Sequence, residues 1–191
     1  MRPAPRDCPI SIGYGSLAAS HGVVGVTLDH RMFSTADYPV AADDLASAVQ
    51  RARALPGVDP GRMALWFFSG GGLLAADWLS EPPPWLRCIA ATYPVMAPLP
   101  GRGEVDARFR PVDAVHKAGT LPILLTRVGR DWPEIAATAE AFIAEAEQCH
   151  ARLTVIDVPE GQHGFDILDH DESSRMAVTQ AMTWVVTALR R

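Results

Sequence analysis

MALWFFSGGGLL, residues 63–74, passes from six apolar residues through a single serine into three glycines and two leucines. A short apolar run that stops at Ser-Gly-Gly-Gly reads as a buried strand, and the apolar residues beyond the glycines read as the start of a helix. Ser69 then stands at a sharp strand-to-helix corner. Corners of this kind expose nucleophiles in some folds and serve as plain turns in many others.

Four more apolar runs have the length of buried strands: 23–28 (VVGVTL), 88–93 (CIAATY), 121–126 (LPILLT) and 153–158 (LTVIDV). Helical periodicity lies between and after them. In 41–54, Ala41, Leu45, Ala48, Val49 and Ala52 share one face, with charges opposite. The stretch from Pro133 repeats this with Ile135, Ala139, Phe142, Ile143 and Ala146, behind a proline suited to a first helical turn. Residues 173–190 do the same with Ala177, Ala181, Trp184, Val185 and Ala188. Each connection between consecutive strands exceeds the dozen or so residues that a parallel crossover needs. The expected class is therefore α/β, a mainly parallel sheet with helices on both faces, formed by residues 1–191 as one domain. Residues 97–119 are rich in proline, glycine and charge with no apolar period, which predicts an excursion or lid.

Active sites on such sheets lie at the carboxyl ends of the strands. Ser69, Asp131 (in LLTRVGRDWPE) and His163 (in IDVPEGQHGFD) each follow an expected strand. A serine hydroxyl is a weak nucleophile at neutral pH. It needs a base to take its proton and a third group to hold that base in the right tautomer. The three residues supply those types in the order Ser, Asp, His, which is the chain order of α/β-hydrolases. Each also has a simpler reading. Ser69 could cap a helix starting at Gly70, Asp131 could cap one starting near Pro133, and His163 could be structural in its glycine-flanked loop. Only the catalytic reading uses all three positions together.

Composition narrows the partners. A net charge of −5 gives no pull toward nucleic acid or an anionic membrane, so neither is expected as a partner. No apolar run approaches the ~18 residues of a membrane span, and MRPAPRDCP lacks the apolar stretch of a secretory signal. Cys8, Cys88 and Cys149 are odd in number, widely spaced and without a CxxC pair, which argues against a disulfide framework or a zinc site and makes the cytoplasm the default. No feature of the sequence fixes an oligomeric state.

From about residue 11 onward the sequence resembles dienelactone hydrolase-type α/β-hydrolases. The likeness rests on SHGVVGVTLDHR, YPVAADDLASAV, GVDPGRMALWFFSGGG, PPPWLRC, RVGRDWPEI and PEGQHGFDILD. It implies a hydrolase of small carboxylic esters or lactones with Ser69 as nucleophile, Asp131 as orienting acid, His163 as base and the Gly70 N–H as an oxyanion donor. It implies no metal and no organic cofactor. Two departures stand out. The elbow of such enzymes reads G-x-S-x-G, whereas here a bulky Phe67 takes the first glycine position, which predicts strain. Family members also carry earlier strands and an HGG-type loop that supplies the second oxyanion donor, where this sequence has MRPAPRDCP. That difference predicts either a weakened relative, down to one that only binds a small acyl compound, or a reading frame that starts upstream of Met1.

Two rival motifs are weaker. IGYGSLA, residues 12–18, matches G-x-G-x-x-A, but prolines rather than a strand precede it, which counts against a dinucleotide site. Asp169 with His170, Asp171 and Glu172 could hold a metal, yet acidic residues ahead of SSRMAV favour a helix N-terminus.

Overall fold

The computed structural model describes residues 7–191; residues 1–6, the opening of MRPAPRDCP, lie outside the described residues. Four strands form one sheet: β1 (Met63–Phe68), β2 (Leu86–Thr92), β3 (Ile123–Arg130) and β4 (Leu153–Gln162). All neighbours are parallel and the spatial order is β1-β2-β3-β4. The expected parallel α/β architecture is therefore present. The crossovers carry α2 (Tyr38–Arg53), which leads into β1, then α3 (Ala75–Ser80), α4 (Pro111–Ala114) and α5 (Pro133–Gln148). The remaining helices are α1 (Pro9–Ser20), α6 (Phe165–Leu168) and α7 (Glu172–Leu189).

Alternation along each strand sends its side chains to two separate cores. On one face Leu65, Phe67, Ile89, Ile123 and Leu125 pack under α2, α3, α4 and α5. On the other, Cys88, Ala90, Leu124, Val128, Ile156 and Val158 pack under α6 and α7. Helices thus cover both faces. Burial pushes the Cys88 thiol up to about 12, which makes it an inert core residue. Asp171 caps α7 by accepting the Ser174 N–H at 2.7 Å, and Asp169 accepts from Gln162. The acidic cluster therefore serves a helix start, and no group of three or more potential metal ligands occurs among the described residues. IGYGSLA falls inside α1 rather than on a strand-to-helix turn, which removes the geometry a dinucleotide would need. No helix of the described residues is long and apolar enough to cross a membrane.

One expectation fails. Residues 23–28 form no strand: the segment lies outside the sheet, with Val24 at 55% and Val26 at 48% exposure. Its backbone meets α1 instead, since the Val23 N–H donates to Ala18 O and a Cβ on Gly25 would stand 2.8 Å from the Gly15 Cα. A strand of this composition is stable only against another strand and a packed face, where each valine would gain ~1.5–3 kcal/mol. α1 packs on a face of the edge strand β1, where its Tyr14 meets Trp66 at 4.9 Å and Phe68 at 4.8 Å, and the 23–28 segment that follows does not join that edge. The 97–119 segment is anchored to the core. Phe109 and Val115 are fully buried, α4 sits within it, and the Val112 N–H donates to Met96 O.

Candidate active site

β1 ends at Phe68, and the next residue turns sharply. Ser69 has φ +50°, in the left-handed region that a non-glycine residue enters at a cost of ~1–3 kcal/mol. Two contacts hold it there. The Val95 N–H donates to Ser69 O at 2.9 Å, and the Tyr38 hydroxyl donates to Gly70 O at 2.8 Å. A 3₁₀ turn over Ser69–Leu74 follows and leads into α3. The serine Oγ does not turn back to cap that segment. Its Oγ lies 2.7 Å from His163 Nε2 instead.

The other two residues are delivered by a strand pair. β3 and β4 run in register to Val128↔Val158, shift, and pair again at Arg130↔Gln162. Asp131 and His163 are the next residues on each chain, so the register alone sets them side by side. The shift depends on Gly129, where a Cβ would stand 2.0 Å from Pro159 O. His163 Nδ1 lies 2.9 Å from Asp131 Oδ1, with side-chain exposures of 12% and 5%. A carboxylate can only accept, so Nδ1 carries the proton and Nε2 is left to accept from the serine hydroxyl. Asp131 does not cap α5, whose N-cap is Trp132 without a side-chain bond. The structure thus brings Ser69, His163 and Asp131 into one hydrogen-bonded chain at the carboxyl ends of β1, β4 and β3.

The fold that carries these residues is shared with solved proteins. Carboxyl esterase 2 from the mycorrhizal fungus Tuber melanosporum superposes with TM-score 0.74 over 93% of this chain and 72% of its own, at 18% identity. A Pyrobaculum calidifontis esterase gives 0.68 over 90% and 68%, at 21% identity. The chain has an α/β-hydrolase fold. A Klebsiella pneumoniae protein assigned as a dienelactone hydrolase gives 0.63 over 78% of this chain and 61% of that one, at 21% identity. The chain therefore spans about two thirds of the length of these hydrolase-fold neighbours. No family model and no curated protein matches the sequence.

Gly70 is the second residue of its 3₁₀ turn, so its N–H has no partner within that turn. The strain expected at Phe67 does not fall there: Phe67 points into the α2/α3 core at 6% exposure. The close approach has moved to Gly72, where a Cβ would lie 2.5 Å from Val95 O and 2.8 Å from Pro94 Cβ. Gly71, at the second glycine position of the elbow pattern, has nothing within 4 Å. Gly72→Ala should therefore cost ~1–3 kcal/mol and lower Tm by several degrees. It should also displace Ser69, because Val95 holds the serine carbonyl. Gly71→Ala should stay within about 0.5 kcal/mol. Thermal melts of the two variants side by side check the difference.

Three residues around the imidazole escaped the sequence reading. Trp132, 57% exposed, lies against His163 at 4.9 Å and donates its backbone N–H to Asp131 Oδ1 at 2.8 Å. The Tyr93 ring packs on the other contact of the imidazole at 4.6 Å, and its hydroxyl donates to Asp166. Tyr93 was legible only as the end of CIAATY, because its neighbours come from β1, β3, the turn after β4 and α6. A cavity of about 930 Å³ lies at the opposite ends of the strands among Pro82, Arg87, Lys117, Arg152 and Trp184. It touches none of the three chained residues.

Proposed function

We propose that the chain is a serine hydrolase of small carboxylic esters or lactones, acting in the cytoplasm without metal or organic cofactor. The observation that carries this reading is the unbroken chain from Ser69 Oγ through the His163 imidazole to Asp131, at 2.7 and 2.9 Å. His163 Nε2 takes the hydroxyl proton as Ser69 Oγ attacks the carbonyl carbon. The Gly70 N–H faces the developing oxyanion, and His163 returns the proton to the leaving alkoxide. Water, deprotonated by the same nitrogen, then frees the acid and restores Ser69. Asp131 fixes the tautomer and offsets the imidazolium charge. The esterase neighbours support the substrate class, and so does the apolar rim: Trp132, Ile167 and Leu168 are all more than 40% exposed within five residues of Asp131 or His163. Such a rim suits an acyl or alcohol group of modest size and no charge.

A fluorophosphonate probe tests the reading. It should label the folded protein stoichiometrically, and mass spectrometry should place the adduct on Ser69. Folded protein that stays unlabelled would instead point to a hydrolase-fold binder of a small acyl compound. Turnover of p-nitrophenyl acetate is a separate measurement, since loss of one oxyanion donor costs ~10²–10³ in kcat and would slow hydrolysis without erasing labelling.

A further inference from the structure

Three residues past His163 lies a half-buried carboxylate with no arginine or lysine partner among the described residues. Asp166 accepts from two phenols instead, Tyr93 Oη on Oδ1 at 2.8 Å and Tyr14 Oη on Oδ2 at 3.0 Å. Burial raises its pKa, while the bonds from Tyr93 and Tyr14 draw it back. Burial, and then the Asp166 charge, hold both phenols far above the ordinary range, so the protons stay on the tyrosines.

Tyr93 is held in a costly conformation. Its φ of +37° is rare for a bulky residue and persists only where surrounding contacts over-determine it. Those contacts are present. Its N–H donates to Thr126 O at 2.9 Å, and its ring, 4% exposed, is wedged between His163 at 4.6 Å and Phe165 at 5.9 Å. Without Asp166, its hydroxyl would lose the one acceptor that the structure gives it.

Resting on the proposed hydrolase reading, we infer that Asp166, gripped by Tyr93 and Tyr14, is a positioning residue for His163. The carboxylate belongs to the same turn as the imidazole, while the two phenols belong to the end of β2 and to α1. The three groups therefore tether that turn to two separate elements. Through Tyr93 the tether presses a ring against the imidazole and keeps Nε2 aimed at Ser69. Neither Asp166 nor Tyr93 transfers a proton in the reaction.

The test compares Asp166→Asn and Tyr93→Phe with the unaltered protein, using p-nitrophenyl acetate, melting curves and proton NMR of the His163 Nδ1–H shared with Asp131. Misaiming a catalytic group by about 1 Å can cost up to ~10²-fold. We expect kcat to fall ten- to a hundredfold with KM within about twofold, and the ring N–H signal to broaden by faster exchange. Tyr14→Phe, which leaves the Tyr93 contact intact, should give a smaller change in the same direction and serves if either first variant does not fold. Unchanged kcat with an unchanged ring signal would overturn the inference. So would a loss of kcat that only follows the unfolded fraction. If the unaltered protein neither hydrolyses nor labels, the hydrolase reading fails by itself. The ring signal then still decides the tether: broadening upholds it and constancy overturns it.

Discussion

Ser69→Ala is expected to remove fluorophosphonate labelling entirely and to lower ester turnover by ~10⁴–10⁶-fold, with little change in Tm. The expectation follows from how little else the serine side chain does. Its Oγ makes no bond to the turn it begins, so its hydrogen-bond partner is the imidazole alone. The backbone contacts that hold the corner, from Val95 N–H to Ser69 O and from Tyr38 to Gly70 O, do not involve the hydroxyl. Alanine does carry the same left-handed φ penalty as serine, so it relieves no strain and adds none. Loss of labelling with Tm unchanged would separate chemistry from folding. Labelling that persists in Ser69→Ala would put the nucleophile elsewhere and end the proposed mechanism.

The sheet was readable because a strand buried on both faces is a near-continuous apolar run: β1, β2 and the first half of β3 have that form, while β4 showed only its apolar start, LTVIDV, before running on through PEGQ. The same signal misled at 23–28. VVGVTL has the composition of a buried strand, but composition reports what a segment could bury and says nothing of whether a neighbour stands beside it. Ser69, Asp131 and His163 were legible since each follows an apolar run read as a strand; β3 and β4 in fact run on to Arg130 and Gln162, so each of the three sits one residue past a strand. The exact juxtaposition of Asp131 and His163 was not, because it depends on a register shift at Gly129 that no local pattern announces. Phe67 shows the converse. The elbow consensus locates the tight spot by position, whereas the fold locates it by which backbone comes close, and here that is Val95 against Gly72.

Asp131 carries the second large expectation, and it splits by substitution. Asp131→Ala should lower turnover by ~10⁴-fold, because the imidazole loses both the acceptor that fixes its tautomer and the charge that offsets its own. Asp131→Asn commonly costs as much where the amide turns its NH2 toward Nδ1 and forces the proton onto Nε2. Here that turn is opposed. Oδ1 accepts from the Trp132 backbone N–H at 2.8 Å as well as from His163 Nδ1 at 2.9 Å, so two donors converge on one oxygen. An amide placed with its NH2 there would face the Trp132 N–H donor to donor and lose that bond. The asparagine oxygen should therefore stay at the Oδ1 position, and Nε2 should stay free to accept from Ser69. Only the negative charge is lost, and we expect Asp131→Asn to keep ~10-fold or more of the turnover that Asp131→Ala loses. Steady-state kinetics of the two variants on p-nitrophenyl acetate check this. Equal losses would mean that the tautomer has flipped and that Trp132 does not hold the amide.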